Sequence, residues 1–297
     1  MARYRVGIIG DPVAHSRSPA MHNAAFVHLG IDAVYERWQT SSRDLKERIR
    51  SLRAADMLGA SVTLPHKAAV MALLDDLEPQ AARIGAVNTI YKPENGRLVG
   101  ANTDAPGFIE SLHVDAAFDP AGSTVLILGA SGAARAALYA LLDAGASRLV
   151  IANRTLERAE ALLADVLSSG MAPEDGSTNG TTPAPLVDDM PDAQLIAVAL
   201  DDTGLPDLLA ESTLIVNATS LGWHGDETPL PEARFSPGTL VYDMVYRPTR
   251  LLHDAAAQGA HTLDGMGMLL RQGTLAFEHW TGQPAPLDVM RAALQHS

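Results

Sequence analysis

Short runs of aliphatic and β-branched residues alternate along this chain with longer stretches in which apolar residues recur every three or four positions. The short runs include "YRVGIIG" (4–10), "AVYERWQT" (33–40) and "GASVTLP" (59–65). The longer ones include "SPAMHNAAFVHLG" (18–30), "DLKERIRSLRA" (44–54) and "HKAAVMALLDDLEPQAARIG" (66–85). Such alternation predicts a parallel or mixed sheet with crossover helices. A further helix is expected over "TDAPGFIESLHVDAAF" (103–118). After the turn-rich "DPAGS", the pattern begins afresh near residue 123 as strand, glycine turn, alanine-rich helix and strand. Later strands are expected at "LIAVAL" (195–200), "TLIVNATS" (213–220) and "TLVYDMVY" (239–246). Residues 168–185 are almost all small, polar or turn-forming and read as a mobile surface loop, with too little apolar surface to repay the entropy of ordering it. From about residue 254, "LLHDAAAQG" and "GMLLRQGTLAFEHWTG" are expected as helices packing back on the first domain.

At 297 residues the chain exceeds the usual size of a single core. The expected class is therefore α/β with two domains, one formed by 1–105 and 254–297 and the other a dinucleotide-binding unit over 106–253. Hydrophobic residues at 47% and charged ones at 19% describe an ordinary globular chain. A formal net charge of −13 argues against nucleic-acid or anionic-membrane partners, since both need a basic face, and an anionic ligand would need a local exception. The sequence has no cysteine, which removes disulfides, thiolate metal sites and a cysteine nucleophile together. No metal is expected. The first apolar run is interrupted after a few residues by Gly10, Asp11 and Pro12, so it reads as a strand and not a signal peptide, and no stretch approaches the roughly 20 apolar residues of a membrane span. A cytoplasmic protein is expected.

"ILGASGAARA" places Gly129, Ser131, Gly132 and Ala134 where a dinucleotide-binding turn carries its small residues, with serine at the second of them. Such a turn lets amides at a helix start, here around Ala130 and Ala133, hold a pyrophosphate. The residues alone leave open a plainer reading, a helix packed tightly on a strand through small side chains. The next strand ends in "ANRTLERA", without the Asp or Glu expected where a ribose 2′-hydroxyl is recognised. Arg154 and Arg158 stand there instead, beside Asn153 and Thr155, and two guanidinium groups suit a 2′-phosphate. Each could also be a solvated surface arginine. Their joint presence and the missing acid favour NADP.

The motifs "GDPVAHSRSPAMHNAAF" (10–26), "VTLPHK" (62–67), "GAVNT" (85–89), "NTDAPGF" (102–108), "GASGAAR" (129–135), "NRT" (153–155), "NATSLG" (217–222), "YDMVY" (242–246) and "GMGMLLRQG" (265–273) span nearly the whole chain. In their order and spacing the chain resembles the shikimate dehydrogenase family. The resemblance implies an N-terminal substrate-binding α/β domain and a Rossmann-type NADP-binding domain with a cleft between them. It implies NADPH-dependent, reversible reduction of 3-dehydroshikimate to shikimate on the way to aromatic amino acids, by a monomer or homodimer. Lys67 and Asp104 would be the catalytic pair. Ser16 and Ser18 would bind the substrate carboxylate, with Ser61, Thr63, Asn88, Tyr246 and Gln272 on its other oxygens. Gly129, Ala130, Ser131, Gly132, Ala133, Asn153, Arg154, Thr155, Arg158, Thr219, Met244 and Gly265 would line the cofactor. The chain departs from the family's usual pattern at Ser61, where asparagine is common, and in a shortened segment after Tyr246. Two rival readings are a quinate/shikimate dehydrogenase on the same scaffold and a ligand-sensing protein without activity. For Ser16 and Ser18 the residues alone also allow a turn capping the helix near Pro19, and Asp104 reads equally as an N-cap ahead of Pro106.

Lysine is scarce here: of 22 basic residues 19 are arginine, and Lys67 is one of three lysines. A position needing only positive charge would more often hold arginine, whereas lysine can release and regain a proton. Hydride addition to a ketone needs such a group at the carbonyl oxygen. Pro65 suits the first position of a helix, which would put Lys67 in a first turn. There the helix dipole disfavours an ammonium while a carboxylate at Asp104 favours it.

Overall fold

The apolar run at the start of the chain forms β1 (Tyr4–Gly10), buried from Val6 onward because strands lie on both sides of it and helices cover the sheet. The computed structural model describes residues 3–169 and 193–297. After β1 come α1 (Ser18–His28), β2 (Ala33–Gln39), α2 (Leu45–Ser51), β3 (Met57–Val62), a 3-10 turn (Met71–Leu73), β4 (Asp76–Leu77) and α3 (Pro79–Ile84). β5 (Thr89–Tyr91), β6 (Val99–Ala101) and α4 (Asp104–Asp115) follow. The strands form one sheet in the order β2-β1-β3-β5-β6-β4, parallel across β2, β1 and β3 and antiparallel at β5.

The pattern then restarts with β7 (Thr124–Leu128), α5 (Gly132–Asp143), β8 (Arg148–Asn153), α6 (Leu156–Ser169), β9 (Gln194–Ala199), α7 (Leu205–Glu211) and β10 (Leu214–Asn217). It continues through β11 (Leu240–Asp243), α8 (Arg250–Ala257) and β12 (His261–Asp264). These six strands are all parallel, in the order β12-β11-β10-β7-β8-β9. Counted from β7, this is the doubly wound order whose direction of winding reverses between β7 and β10, the place where such sheets bind ligands. The chain ends in α9 (Met266–Thr281) and α10 (Leu287–Gln295). Contacts divide it into two units, Met1–Ser111 with Met266–Ser297 and Leu112–Gly265.

Each unit has its own core. In the first, α1, α9 and α10 bring Met21, Phe26, Phe277, Trp280, Met290 and Leu294 onto Val6 and Tyr35, while Trp38, Ile49, Leu52, Val62 and Val70 form a second cluster. In the other, Leu126, Leu128, Val150, Ile215 and Val241 meet Leu209, Leu251 and Leu252. Full burial of a side chain such as Phe277 contributes about 2–3 kcal/mol. No helix of the described residues is long and apolar enough to cross a membrane.

Two expectations about helices are corrected here. The stretch 66–85 is not one helix but a run of turns, the 3-10 turn, β4 and the short α3. Pairing wins over helix propensity there: β4 joins β6, and the Leu98 backbone is held by Asp75 through its carboxylate at 2.8 Å. The helix at 250–257 packs against β11 and β12 and belongs to the second unit, while α9 packs on α1, β3 and β5 and α10 on α1 and α9. Strand β12, "HTLD", is short, polar and half-exposed at the sheet edge, so it carries no apolar run to announce it. Residues 170–185 of the expected surface loop lie outside the described residues, while Ser168 and Ser169 end α6.

Candidate functional site

Parallel pairing places the carboxyl ends of β1 and β3 at the same end of the first sheet, and the chain leaving β3 is tied there from both sides. Thr63 N–H donates to the Ile9 carbonyl at 2.8 Å and Asp11 N–H to the Leu64 carbonyl at 3.0 Å. No helix follows Pro65. Lys67 sits in a turn, anchored because Val87 N–H donates to its carbonyl at 2.8 Å and because buried His66 next to it bonds the Thr40 carbonyl through Nε2 at 2.7 Å. The first turn of a helix expected around Lys67 is therefore absent.

The expected carboxylate is close. Lys67 Nζ donates to Asp104 Oδ2 at 2.5 Å, with only 12% of the lysine side chain and 7% of the aspartate exposed. Asp104 Oδ1 accepts from Asn88 Nδ2 at 2.8 Å, and the same amide nitrogen lies 3.5 Å from Gln272 Oε1. Asn88 is oriented in turn by Thr103, whose N–H donates to Asn88 Oδ1 at 2.8 Å. Asp104 is not the cap of α4. Asn102 Oδ1 takes that place, accepting from Asp104 N–H at 3.1 Å and Ala105 N–H at 3.2 Å, and its amide donates to the Ala86 carbonyl at 2.9 Å. The Asp104 side chain is thereby released to face Lys67. Gln272 comes near because α4 carries a glycine where α9 passes: a Cβ on Gly107 would lie 2.8 Å from the Gln272 backbone nitrogen.

The remaining first-unit candidates sit around this end of the sheet. Ser16 and Ser18 are buried where α1 begins, with Ser18 N–H donating to Ser16 Oγ at 3.3 Å and Arg37 donating to the Ser16 carbonyl at 2.7 Å. The Ser16 hydroxyl thus accepts from the first amide of α1, while the N-cap residue itself, Arg17, makes no side-chain cap. Ser61 is buried on β3, and Thr63 lies half-buried just past the end of that strand. The structure thus joins Lys67, Asn88, Asp104 and Gln272 by hydrogen bonds, while Ser16, Ser18, Ser61 and Thr63 border the same strand ends.

Tyr246 belongs to the second unit, where its ring meets Trp223 edge-on at 4.6 Å. The glycine turn there has the form a pyrophosphate needs. Gly129 adopts φ +105°, and a Cβ on it would lie 3.1 Å from Thr219 and 3.2 Å from the Ala218 carbonyl across the β7–β10 switch. Ser131 caps α5, accepting long bonds from the Ala133 and Ala134 amides at 3.3 and 3.4 Å and donating to the Ala218 carbonyl at 3.1 Å. The start of α5 from Gly132 thus presents amides and a positive dipole end, and Ala130 and Ala133 lie half-buried beside it. At the tip of β8, Asn153 donates to the Thr155 carbonyl at 2.8 Å, and Arg154 and Arg158 are both exposed with no ion pair among the described residues. These groups fit a dinucleotide with a 2′-phosphate.

Sequence reasoning missed the buried carboxylate that organises the neighbouring loops. Asp243, at the end of β11, accepts from Asn217 Nδ2 at 2.9 Å, Val245 N–H at 3.0 Å and Thr249 Oγ1 at 2.7 Å. Burial pushes its carboxyl up from the usual range, against the pull of those three donors. Asn217 in turn accepts from Thr219 Oγ1 at 2.7 Å, and Met244 N–H donates to the Asn217 carbonyl at 3.0 Å while Gly265 N–H reaches the Val245 carbonyl at 3.2 Å. The only trace in the sequence was a polar pair at two strand ends. Asn102 left a clearer one, an asparagine two residues ahead of a helix start.

A doubly wound sheet with this turn at its switch point, and an α/β unit bearing a buried lysine–carboxylate pair, define a two-domain nicotinamide-dependent dehydrogenase. Three family models match: a shikimate dehydrogenase substrate binding domain over 8–90, shikimate / quinate 5-dehydrogenase over 114–172, and a shikimate 5′-dehydrogenase C-terminal domain over 265–295. The shikimate dehydrogenase (NADP(+)) of Moorella thermoacetica is 44% identical over 98% of this chain and 92% of its own. The Thermus thermophilus shikimate 5-dehydrogenase solved with NADP(H) and shikimate is 38% identical, with TM-score 0.81 over 99% of both chains. The quinate dehydrogenase of Corynebacterium glutamicum, solved with NAD, is 31% identical, with TM-score 0.83 over 99% of both. The chain belongs to the shikimate dehydrogenase family.

Proposed function

We propose that this protein catalyses the reversible NADPH-dependent reduction of 3-dehydroshikimate to shikimate. The observation that carries the reading is the buried Lys67–Asp104 pair with Asn88 and Gln272 around it. When bound, the nicotinamide supplies or accepts the hydride at the carbon bearing the reacting oxygen. Lys67 gives its proton to that oxygen as the carbonyl becomes an alcohol, and takes it back in the reverse direction. Asp104 holds Nζ in place, and Asn88 fixes the carboxylate by occupying its second oxygen. Ser16 and Ser18 bind the substrate carboxylate, and Ser61, Thr63, Asn88, Gln272 and Tyr246 its other oxygens. Gly129 to Ala133, with Thr219, Met244 and Gly265, cradle the dinucleotide, and Asn153, Arg154, Thr155 and Arg158 take its adenosine end with the 2′-phosphate.

The acidic balance of −13 fits a small-molecule enzyme with no nucleic-acid partner, working in the cytoplasm as a monomer or homodimer. The quinate reading has the likeness to the Corynebacterium protein in its favour. Against it stand the missing acid at the tip of β8 and the two arginines there. Absorbance at the nicotinamide band tests both: reduction with shikimate and NADP is expected, and a stronger signal with quinate and NAD would replace this reading by the other.

A further inference from the structure

The Ser61 hydroxyl has one hydrogen-bond partner among the described residues, and it is a side chain from the same sheet. Tyr35, on β2, donates its phenol proton to Ser61 Oγ at 2.8 Å. A serine hydroxyl has one proton and two lone pairs, so a lone pair occupied by Tyr35 leaves the Ser61 proton uncommitted. A hydroxyl that accepts one bond also donates a stronger one.

Tyr35 itself is held on every side. Asn23 clamps its backbone, accepting from the Tyr35 N–H at 2.8 Å and donating to its carbonyl at 3.0 Å. The His22 ring stacks on the phenol at 4.5 Å and 18°, and Trp280 lies against it at 5.8 Å. Neither ring nitrogen of His22 has a hydrogen-bond partner, so this imidazole serves as a flat apolar plate. With Tyr35 only 2% exposed, the phenol oxygen cannot swing away from Ser61 without breaking this packing.

We infer that Tyr35 is a positioning residue for substrate recognition: its phenol fixes the Ser61 hydroxyl as a donor toward a substrate oxygen. The inference rests on the proposed role of Ser61 at the substrate. It acts on binding and leaves the proton chemistry of Lys67 untouched.

A double-mutant cycle with steady-state kinetics tests it. Tyr35→Phe keeps the stacked ring and removes one oxygen, and is expected to raise KM for shikimate about three- to tenfold, with kcat within about twofold and KM for NADP unchanged. Ser61→Ala is expected to do the same, and the double variant to be no worse than either single one. If Ser61→Ala raises KM while Tyr35→Phe lowers only the melting temperature, Tyr35 is structural and the inference fails with the site reading intact. If neither variant moves KM, Ser61 does not touch substrate, and both fail. Losses that multiply in the double variant, or a parallel rise in KM for NADP, also overturn it.

Discussion

Lys67 is worth a lysine because its place in the turn after β3 gives it a carboxylate at 2.5 Å and little water. Replacing it with Ala is expected to lower kcat by about 10²-fold or more while KM for shikimate changes much less. Near-normal turnover with lost affinity would make Lys67 a binding residue instead. Asp104→Asn should also be impaired, and the double variant should fall short of the product of the two losses, because the groups act as a unit. His22 offers a second single-residue test, on stability. Burial without partners pushes its imidazole down to about 3, against about 6.5 in an unfolded chain. Below pH 6.5 the unfolded chain takes up a proton that the native state refuses, so the contribution is whole above about 6.5 and drains away toward pH 3. Between pH 7 and 5 it amounts to about 2 kcal/mol. Thermal melts at both pH values should show a smaller drop for His22→Phe than for the parent, and equal drops would place the acid sensitivity elsewhere.

At the level of elements, the loops after β10 and β11 are tied to one buried carboxylate, and α8 is attached to it by its own cap. Thr249 donates to Asp243 Oδ2 and accepts from Leu252 N–H at 3.4 Å, so one hydroxyl serves both a helix start and a buried charge. Thr249→Val keeps the shape and removes both bonds. It is expected to cost about 1–3 kcal/mol, read as a lower melting temperature. Because the same carboxylate holds Asn217, and Asn217 holds Thr219, affinity for NADP should fall as well. An unchanged Kd for NADP in a destabilised variant would limit Asp243 to a folding role.

For the whole molecule, the charge balance sets the problem that the cofactor site must solve. A chain of net charge −13 repels a phosphorylated dinucleotide, so a site for one needs local cations, which the proposed reading finds at the tip of β8. Arg154 and Arg158 stand there exposed and without ion pairs among the described residues. Losing a charge-assisted contact costs about 1.5–3 kcal/mol, so Arg154→Ala should weaken NADP by roughly ten- to a hundredfold and hardly affect NAD. The preference for NADP in kcat/KM should also shrink as salt is raised, since these charges are open to solvent. Equal or better use of NAD by the unmodified protein would count against the whole assignment of the strand tip.

The sequence by itself determined what a few neighbouring residues settle through their own backbone and side chains. The first five strands of the second sheet, the glycine turn, and the absence of an acid after Asn153 were all legible, because periodicity, φ > 0 and short-range chemistry are local. Tertiary structure decided the rest. The helix expected at 66–85 gave way because Asp75 and Asp76 gain more by pairing beside β6 than by helical bonds of their own. Strand β12 exists only because β11 offers it an edge, and α8 stays with that sheet because its buried face, Leu251, Leu252 and Ala255, meets the second core. The group around Lys67 was named in pieces, but its geometry could not be read along the chain. Asn88 and Gln272 meet across 184 residues, and only the packing of α9 beside Gly107 brings them together.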